Sequence, residues 1–130
     1  MSVAATETAL LLIAHGSRRQ EANADLDHLA EELRRLGRYA YVQTSFLELT
    51  EPTILEGGTR CVANAKRVVM MPYFLSPGVH ARDDMVAARD DLALRFPDVE
   101  FLLAQPLGRH PLMVEIVSQR AEEAESVTRP

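Results

Sequence analysis

Three histidines stand just past apolar runs. His15 follows residues 9–14, Ala-Leu-Leu-Leu-Ile-Ala. His80 follows residues 68–75, Val-Val-Met-Met-Pro-Tyr-Phe-Leu, and a short turn. His110 follows residues 99–104, Val-Glu-Phe-Leu-Leu-Ala, and a Gln-Pro-Leu-Gly turn. A fourth apolar run, residues 41–47, ends at Glu48. Imidazole nitrogen and carboxylate oxygen suit borderline divalent metals, and imidazole also gains and loses protons near neutral pH. If the runs are parallel strands, their carboxyl ends form one rim, the edge at which open α/β sheets bind ligands. Three imidazoles and a carboxylate are then expected around one cleft, able to hold a divalent metal and to move protons.

The elements that must position them alternate along the chain. Residues 9–14 are apolar enough for a strand buried on both faces. Residues 17–36 follow as a helix, with Leu26, Leu29, Leu33 and Leu36 at three- and four-residue spacing and Gly37 as its stop. Residues 39–47 form the second strand. Pro52 opens a second helix that runs to about Ala65, with Ile54, Leu55, Cys61 and Val62 as apolar positions and with Gly57 and Gly58 weakening its middle. Residues 67–71 are the third strand, whose ladder weakens at Pro72. Residues 78–95 hold the third helix, carrying Met85, Val86, Leu92 and Leu94, and Pro97 closes it. Residues 99–104 are the fourth strand. Pro111 starts the fourth helix, lined on one side by Leu112, Met113, Ile116 and Val117, and the polar tail from about residue 122 is expected to fray. The order βαβαβαβα predicts an α/β fold: one flavodoxin-like domain over residues 1–130, a four-stranded parallel sheet with helices on both faces.

The segments around the histidines share a logic. In His15-Gly16-Ser17-Arg18-Arg19 a histidine leaves a buried strand, Gly16 permits a tight turn or a close approach, and Ser17 can cap the first helix. The free N–H groups of that helix favour an anion, and Arg18 and Arg19 add to this. In Pro77-Gly78-Val79-His80-Ala81-Arg82 a glycine turn again presents a histidine near a helix start, with an arginine two residues on. Asp83 and Asp84 suit the first turn of that helix and need no function. Glu48, between Leu47 and Leu49, is either a surface residue at a strand end or a group that faces the site. His15 and His80 on the same rim favour the site. His110 and Arg109 border the cleft, although Pro111 as a helix starter explains much of their setting. His28 falls off the leucine stripe and reads as a solvated helix residue. Cys61 reads as a small buried hydrophobe, and Met70 and Met71 as core or interface.

Bulk properties narrow the class. The 130 residues suit one core, 47% are hydrophobic and 25% charged, and the net charge of −5 argues against nucleic acid as a partner. A single cysteine forbids an internal disulfide and suits a reducing cytoplasm. The run 9–14 is too short to span a bilayer and lacks a basic flank, so no membrane association is expected and the compartment is read as cytoplasmic. No GxSxG, GxxxxGK[ST] or GxGxxG motif is present, so serine hydrolase, P-loop and dinucleotide readings lack their key parts.

Taken in order, Leu11-Leu12-Ile13-Ala14-His15-Gly16-Ser17-Arg18, Phe46-Leu47-Glu48, Pro72-Tyr73-Phe74-Leu75 with Gly78-Val79-His80, and Gln105-Pro106-Leu107-Gly108 resemble the small CbiX and SirB chelatases. The resemblance runs from Leu11 to about Ile116. It implies a class II tetrapyrrole chelatase that inserts Co²⁺ or Fe²⁺ into sirohydrochlorin without ATP, towards cobalamin or siroheme. It places the family's metal and catalytic set on His15, Glu48 and His80. It implies no cofactor beyond the substrate metal. Larger relatives hold two such domains face to face, so a chain of this length implies a homodimer. The histidine-rich stretch of some relatives is absent, and dedicated metal storage is not expected.

The residues agree with this. Pyrrole N–H groups must lose protons as a metal enters, and neutral histidine is a suitable acceptor. Which histidine holds metal and which takes protons stays open at this level. The substrate carries many carboxylates, which accounts for Ser17, Arg18, Arg82, Arg109 and His110 around the rim of an acidic protein. Two other readings compete: a non-catalytic metal or tetrapyrrole carrier using the same cleft, and a flavodoxin-like regulatory or dimerisation domain.

Overall fold

The computed structural model describes residues 7–128. Its elements run β1 (Thr8–Ala14), α1 (Gln20–Leu36), β2 (Tyr41–Phe46), α2 (Ile54–Val62), β3 (Arg67–Pro72), α3 (Val79–Arg95), β4 (Glu100–Leu103) and α4 (Leu112–Thr128). The four strands form one parallel sheet in the order β2-β1-β3-β4. Helices cover both faces, as the alternating pattern predicts. Leu10, Leu12, Val42 and Phe46 pack with Leu26 and Ala30 of α1 on one face. Ala9, Leu11, Ile13, Val68, Met70 and Phe101 pack under α2 and α3 on the other. Cys61 is fully buried there, and burial pushes its thiol pKa up to about 12.

Two helix starts and the make-up of one first turn differ from expectation. The first helix begins at Gln20, and Arg19, not Ser17, is its N-cap. The Ser17 hydroxyl instead accepts from the Arg19 N–H at 3.1 Å, a local turn that competes with helix entry. Pro52 precedes α2 rather than opening it, because Thr53 and Glu56 form a capping box there. The Thr53 hydroxyl accepts from the Glu56 N–H at 3.2 Å, and the Glu56 carboxylate from the Thr53 N–H at 3.0 Å. Asp83 and Asp84 lie past the first turn of α3, which starts at Val79 and holds no acidic residue there.

Thr53→Ala is expected to cost about 1 kcal/mol in urea unfolding. Hydrogen bonds from the Thr53 backbone and hydroxyl hold the Glu56 carboxyl below its usual range. A lowered folded-state pKa means that its contribution is present above the ordinary carboxylate range and is lost as pH falls through the folded value.

Gly57 and Gly58 do not break α2, since they let it approach its neighbours. A Cβ at Gly57 would lie 2.9 Å from Leu11 Cδ1, and one at Gly58 would lie 2.5 Å from Leu92 Cδ1. The expected fraying from residue 122 is also not found, as α4 continues to Thr128. Its alanines and glutamates favour helix, Arg120 Nη1 meets Glu123 Oε2 at 3.0 Å, and the Ser126 hydroxyl donates to the Glu122 carbonyl. The apolar side of α4 is not covered within the chain, and Leu112, Val114, Ile116 and Val117 are all exposed.

Candidate functional site

The sheet order sets the location. From β1 the chain crosses one face through α1, and from β3 it crosses the opposite face through α3, while β1 and β3 are neighbours. Their carboxyl ends diverge onto opposite faces, which opens the crevice typical of α/β ligand sites. His15 leaves β1 at that point. His80 sits in the first turn of α3, after the β3–α3 connection.

His15 and Glu48 meet directly. His15 Nε2 lies 3.0 Å from Glu48 Oε1, with the side chains 62% and 56% exposed. The backbone brings them together. The Leu47 N–H donates to the Ala14 carbonyl at 3.0 Å and the Glu48 N–H to the His15 carbonyl at 3.1 Å, so the β1–β2 pairing continues past both strand ends. Gly16 makes this possible. Its φ is +99°, and a Cβ there would stand 1.9 Å from the Glu48 carbonyl oxygen. The Phe74 ring meets the His15 ring edge-on, with centroids 6.2 Å apart and planes at 88°.

Three features beside this pair are not marked as site groups by residue type or spacing. Asn23, one turn into α1, accepts from the Ser17 N–H at 3.0 Å and donates to the Ser17 carbonyl at 2.8 Å, and so clamps the turn after His15. Leu49 holds a left-handed φ of 67°, a conformation that costs a non-glycine residue about 1 kcal/mol or more and gathers at functional sites. Phe74 is the third, since its contact across the sheet depends on the strand order.

The other predicted residues are distributed around the same end. His80 is exposed, and among the described residues no three His, Cys, Asp or Glu side chains converge as a metal-binding group. The structure thus joins His15 to Glu48 and places His80 apart from them, in the first turn of α3. Arg18, Arg82 and Arg109 are exposed. Arg82 lines a cavity of about 550 Å³ together with Arg89, Ser76 and Gln105. Arg109 and His110 line another of about 490 Å³ beside Met71 and Leu107. His110 Nδ1 accepts from the Leu112 N–H at 3.1 Å, which orients its ring as a cap on α4. His28 is exposed on α1, as expected of a solvated helix residue.

A family model described as CbiX matches residues 9–124. The chain belongs to the CbiX family. It is 35% identical over 114 residues to the chloroplastic sirohydrochlorin ferrochelatase of Arabidopsis thaliana, covering 87% of this chain and 51% of the relative. It is 30% identical over 119 residues to a sirohydrochlorin cobaltochelatase of Sulfolobus acidocaldarius, covering 91% and 93%. Among solved structures it resembles the sirohydrochlorin chelatase SirB from Bacillus subtilis subspecies spizizenii in complex with cobalt. That likeness has a TM-score of 0.81 at 29% identity, over 90% of this chain and 50% of that one. The chain therefore spans about half the length of the plant and Bacillus relatives and nearly all of the archaeal one. Among the described residues no helix is long and apolar enough to cross a membrane.

Proposed function

We propose that this CbiX-family chain is a sirohydrochlorin chelatase, which inserts Co²⁺ or Fe²⁺ into the macrocycle without a nucleotide. The observation that carries the reading is the His15–Glu48 pair, held by Gly16 at the crevice between β1 and β3. In a stable protein an exposed pair of this kind contributes little to folding, so its built geometry points to chemistry. His15, Glu48 and His80 are the metal and catalytic groups in this reading. Borderline divalent ions accept mixed imidazole and carboxylate ligands, and an incomplete protein shell leaves positions for the macrocycle nitrogens. As the metal enters, two pyrrole N–H bonds break and two protons leave. Neutral imidazole at His15 or His80 accepts them and passes them to solvent. The products are the metallated macrocycle and two protons.

Ser17, Arg18, Arg82, Arg109 and His110 serve the substrate carboxylates, with the two cavities beside β3 and β4 lying on their side of the rim. Arg18→Ala and Arg82→Ala are each expected to raise KM severalfold with kcat little changed, because the contacts hold ground and transition states alike. The effect shrinks with added salt if the guanidinium groups act from solvent. Steady-state kinetics at two ionic strengths checks this, and an unchanged KM in both variants removes the arginines from the site.

Residues 1–130 act as a single chelatase domain in this reading, cytoplasmic and paired with a second copy. The plant and Bacillus relatives are about twice as long as the part that this chain matches. The test of activity is turnover. Protein supplied with sirohydrochlorin and Co²⁺, without nucleotide, should change the macrocycle's absorption spectrum faster than metal alone, over many turnovers per chain. A single stoichiometric binding event without turnover would leave a carrier instead.

A further inference from the structure

One stripe of α3 walls a cavity that the metal groups do not share. Arg82, Met85, Val86 and Arg89 recur at three- and four-residue spacing, so they lie on one side of the helix. All four line the cavity of about 550 Å³ beside the end of β4. Leu103, Gln105 and Pro106 close it from β4 and the connection that follows. His15, Glu48 and His80 are not among its lining residues. Along the stripe the order is charged, apolar, apolar, charged. At 1.5 Å per residue the two arginine positions stand about 10 Å apart along the axis.

The polar groups of this cavity have donors to spare. Among the described residues no hydrogen bond or ion pair engages the Arg82 guanidinium, the Ser76 hydroxyl or the Gln105 amide. Arg89 Nε and Nη2 both donate to Asp90 Oδ1 at 3.2 Å, which leaves Nη1 free. The Arg89 side chain is only 35% exposed, so an anion beside it is partly withdrawn from water. Ser76, Gln105 and Pro106 also line the cavity that holds Arg109 and His110. Cationic side chains therefore stand on both sides of one shared wall. Along the chain, Ser76 and Pro77 lie between Phe74, whose ring meets His15, and His80.

We propose that this α3 cavity seats two carboxylate arms of the macrocycle, one on Arg82 and one on Arg89, and that the seat selects carboxylate-rich tetrapyrroles. The inference rests on the chelatase reading above and adds Arg89 and Gln105 to it. A tetrapyrrole edge is apolar, and arms on adjacent rings place an anion at each of its ends. The helix stripe has the same order of groups, with Met85 and Val86 between the two arginines. Guanidinium holds carboxylate by paired hydrogen bonds, and partial burial strengthens the attraction. The Gln105 amide on the facing wall donates to either arm. An arm on the next ring reaches Arg109 across the shared wall, so the ring stands over the ends of β3 and β4. A chain of net charge −5 repels an anionic disc except where such cationic seats receive it.

Binding is measured without metal, by titrating sirohydrochlorin into the intact protein and following its absorption. Arg89→Ala should raise Kd about tenfold or more, and Arg89→Lys should recover part of the loss, since it keeps the charge without the planar fork. Asp90→Asn is the control. It breaks the same ion pair and keeps the guanidinium, so Kd should stay level or fall. An equal loss in Arg89→Ala and Asp90→Asn would assign Arg89 to the fold and overturn the seat. The methyl ester of sirohydrochlorin offers no anion and should bind both wild type and Arg89→Ala weakly and alike. If the ester showed the same loss as the acid, Arg89 would be packing on the ring and not holding an arm. Suberate, a free dicarboxylate with a similar spacing of charges, tests the other source of this chemistry. Arg89-dependent binding of suberate, with sirohydrochlorin binding unchanged by Arg89→Ala, would give the cavity to a small dicarboxylic acid instead. Unchanged sirohydrochlorin binding in Arg89→Ala beside full wild-type turnover overturns the seat and leaves the chelatase reading standing. Arg89-dependent binding without turnover does the reverse, and a wild-type protein that binds no sirohydrochlorin removes both.

Discussion

His15→Ala is expected to lower the rate of metal insertion by about 100-fold or more, the range over which a positioned proton acceptor acts. The same substitution should change unfolding free energy by no more than about 0.5 kcal/mol, as is usual for surface sites. These two numbers must separate because His15 is more than half exposed and its partner Glu48 is as well. Neither side chain fills the core, so their removal leaves no cavity. His80→Ala should fall in the same range of activity loss. Glu48→Gln is the finer probe. It keeps an oxygen that can accept from His15 Nε2 and removes the charge that would favour a metal ion. A loss in Glu48→Gln that excess metal partly restores assigns the carboxylate to metal binding, whereas a loss that metal does not restore assigns it to orienting His15. Full activity in both histidine variants would remove the rim from the chemistry.

The period of the apolar residues carries most of the fold. The four strands are short, apolar and separated by helical spacing, so their parallel sense follows from the alternation. Helix starts were harder to read because side chains compete for the same backbone groups. Ser17 looked like a cap, but its hydroxyl takes the Arg19 N–H and Asn23 takes its backbone. Pro52 looked like a first helical residue, but the Thr53–Glu56 box beside it sets the start. The fourth helix was legible as a helix and its apolar side was legible as well. That the side lacks a cover within one chain is a tertiary fact, fixed by how the 104–111 connection leaves β4. At the site, each predicted residue lies at the expected end of the sheet because a strand end is a local feature. The direct contact of His15 with Glu48 depends on β1 and β2 being neighbours, and the approach of Phe74 depends on β1 and β3 being neighbours. Neither adjacency is written in any single segment.

Gly16→Ala gives the most direct test of whether that contact matters. A methyl group at this position meets the Glu48 carbonyl oxygen at 1.9 Å, the Glu48 carbonyl carbon at 3.0 Å and Phe46 Cβ at 3.4 Å. The first contact is with backbone, which cannot rotate away as a side chain would. Relief therefore requires Glu48 to move by more than an ångström, and its N–H to give up the His15 carbonyl. The backbone at +99° adds a further penalty for any L-residue. A displacement of that size at a reacting site is worth about 100-fold in rate. Stability should fall by about 2 kcal/mol, the usual range for strain at a special backbone position. Gly37→Ala is the control. It also sits at positive φ, 67°, but no atom lies within 4 Å of its would-be Cβ. It should lose about 1 kcal/mol from the left-handed penalty alone and keep its turnover. Urea unfolding and spectral turnover measured on both variants separate the two effects. If Gly16→Ala keeps full turnover while losing stability, the close approach serves the fold and the His15–Glu48 distance does not govern insertion. If it loses turnover far beyond its unfolded fraction, the glycine is what holds a carboxylate from one strand against an imidazole from the next.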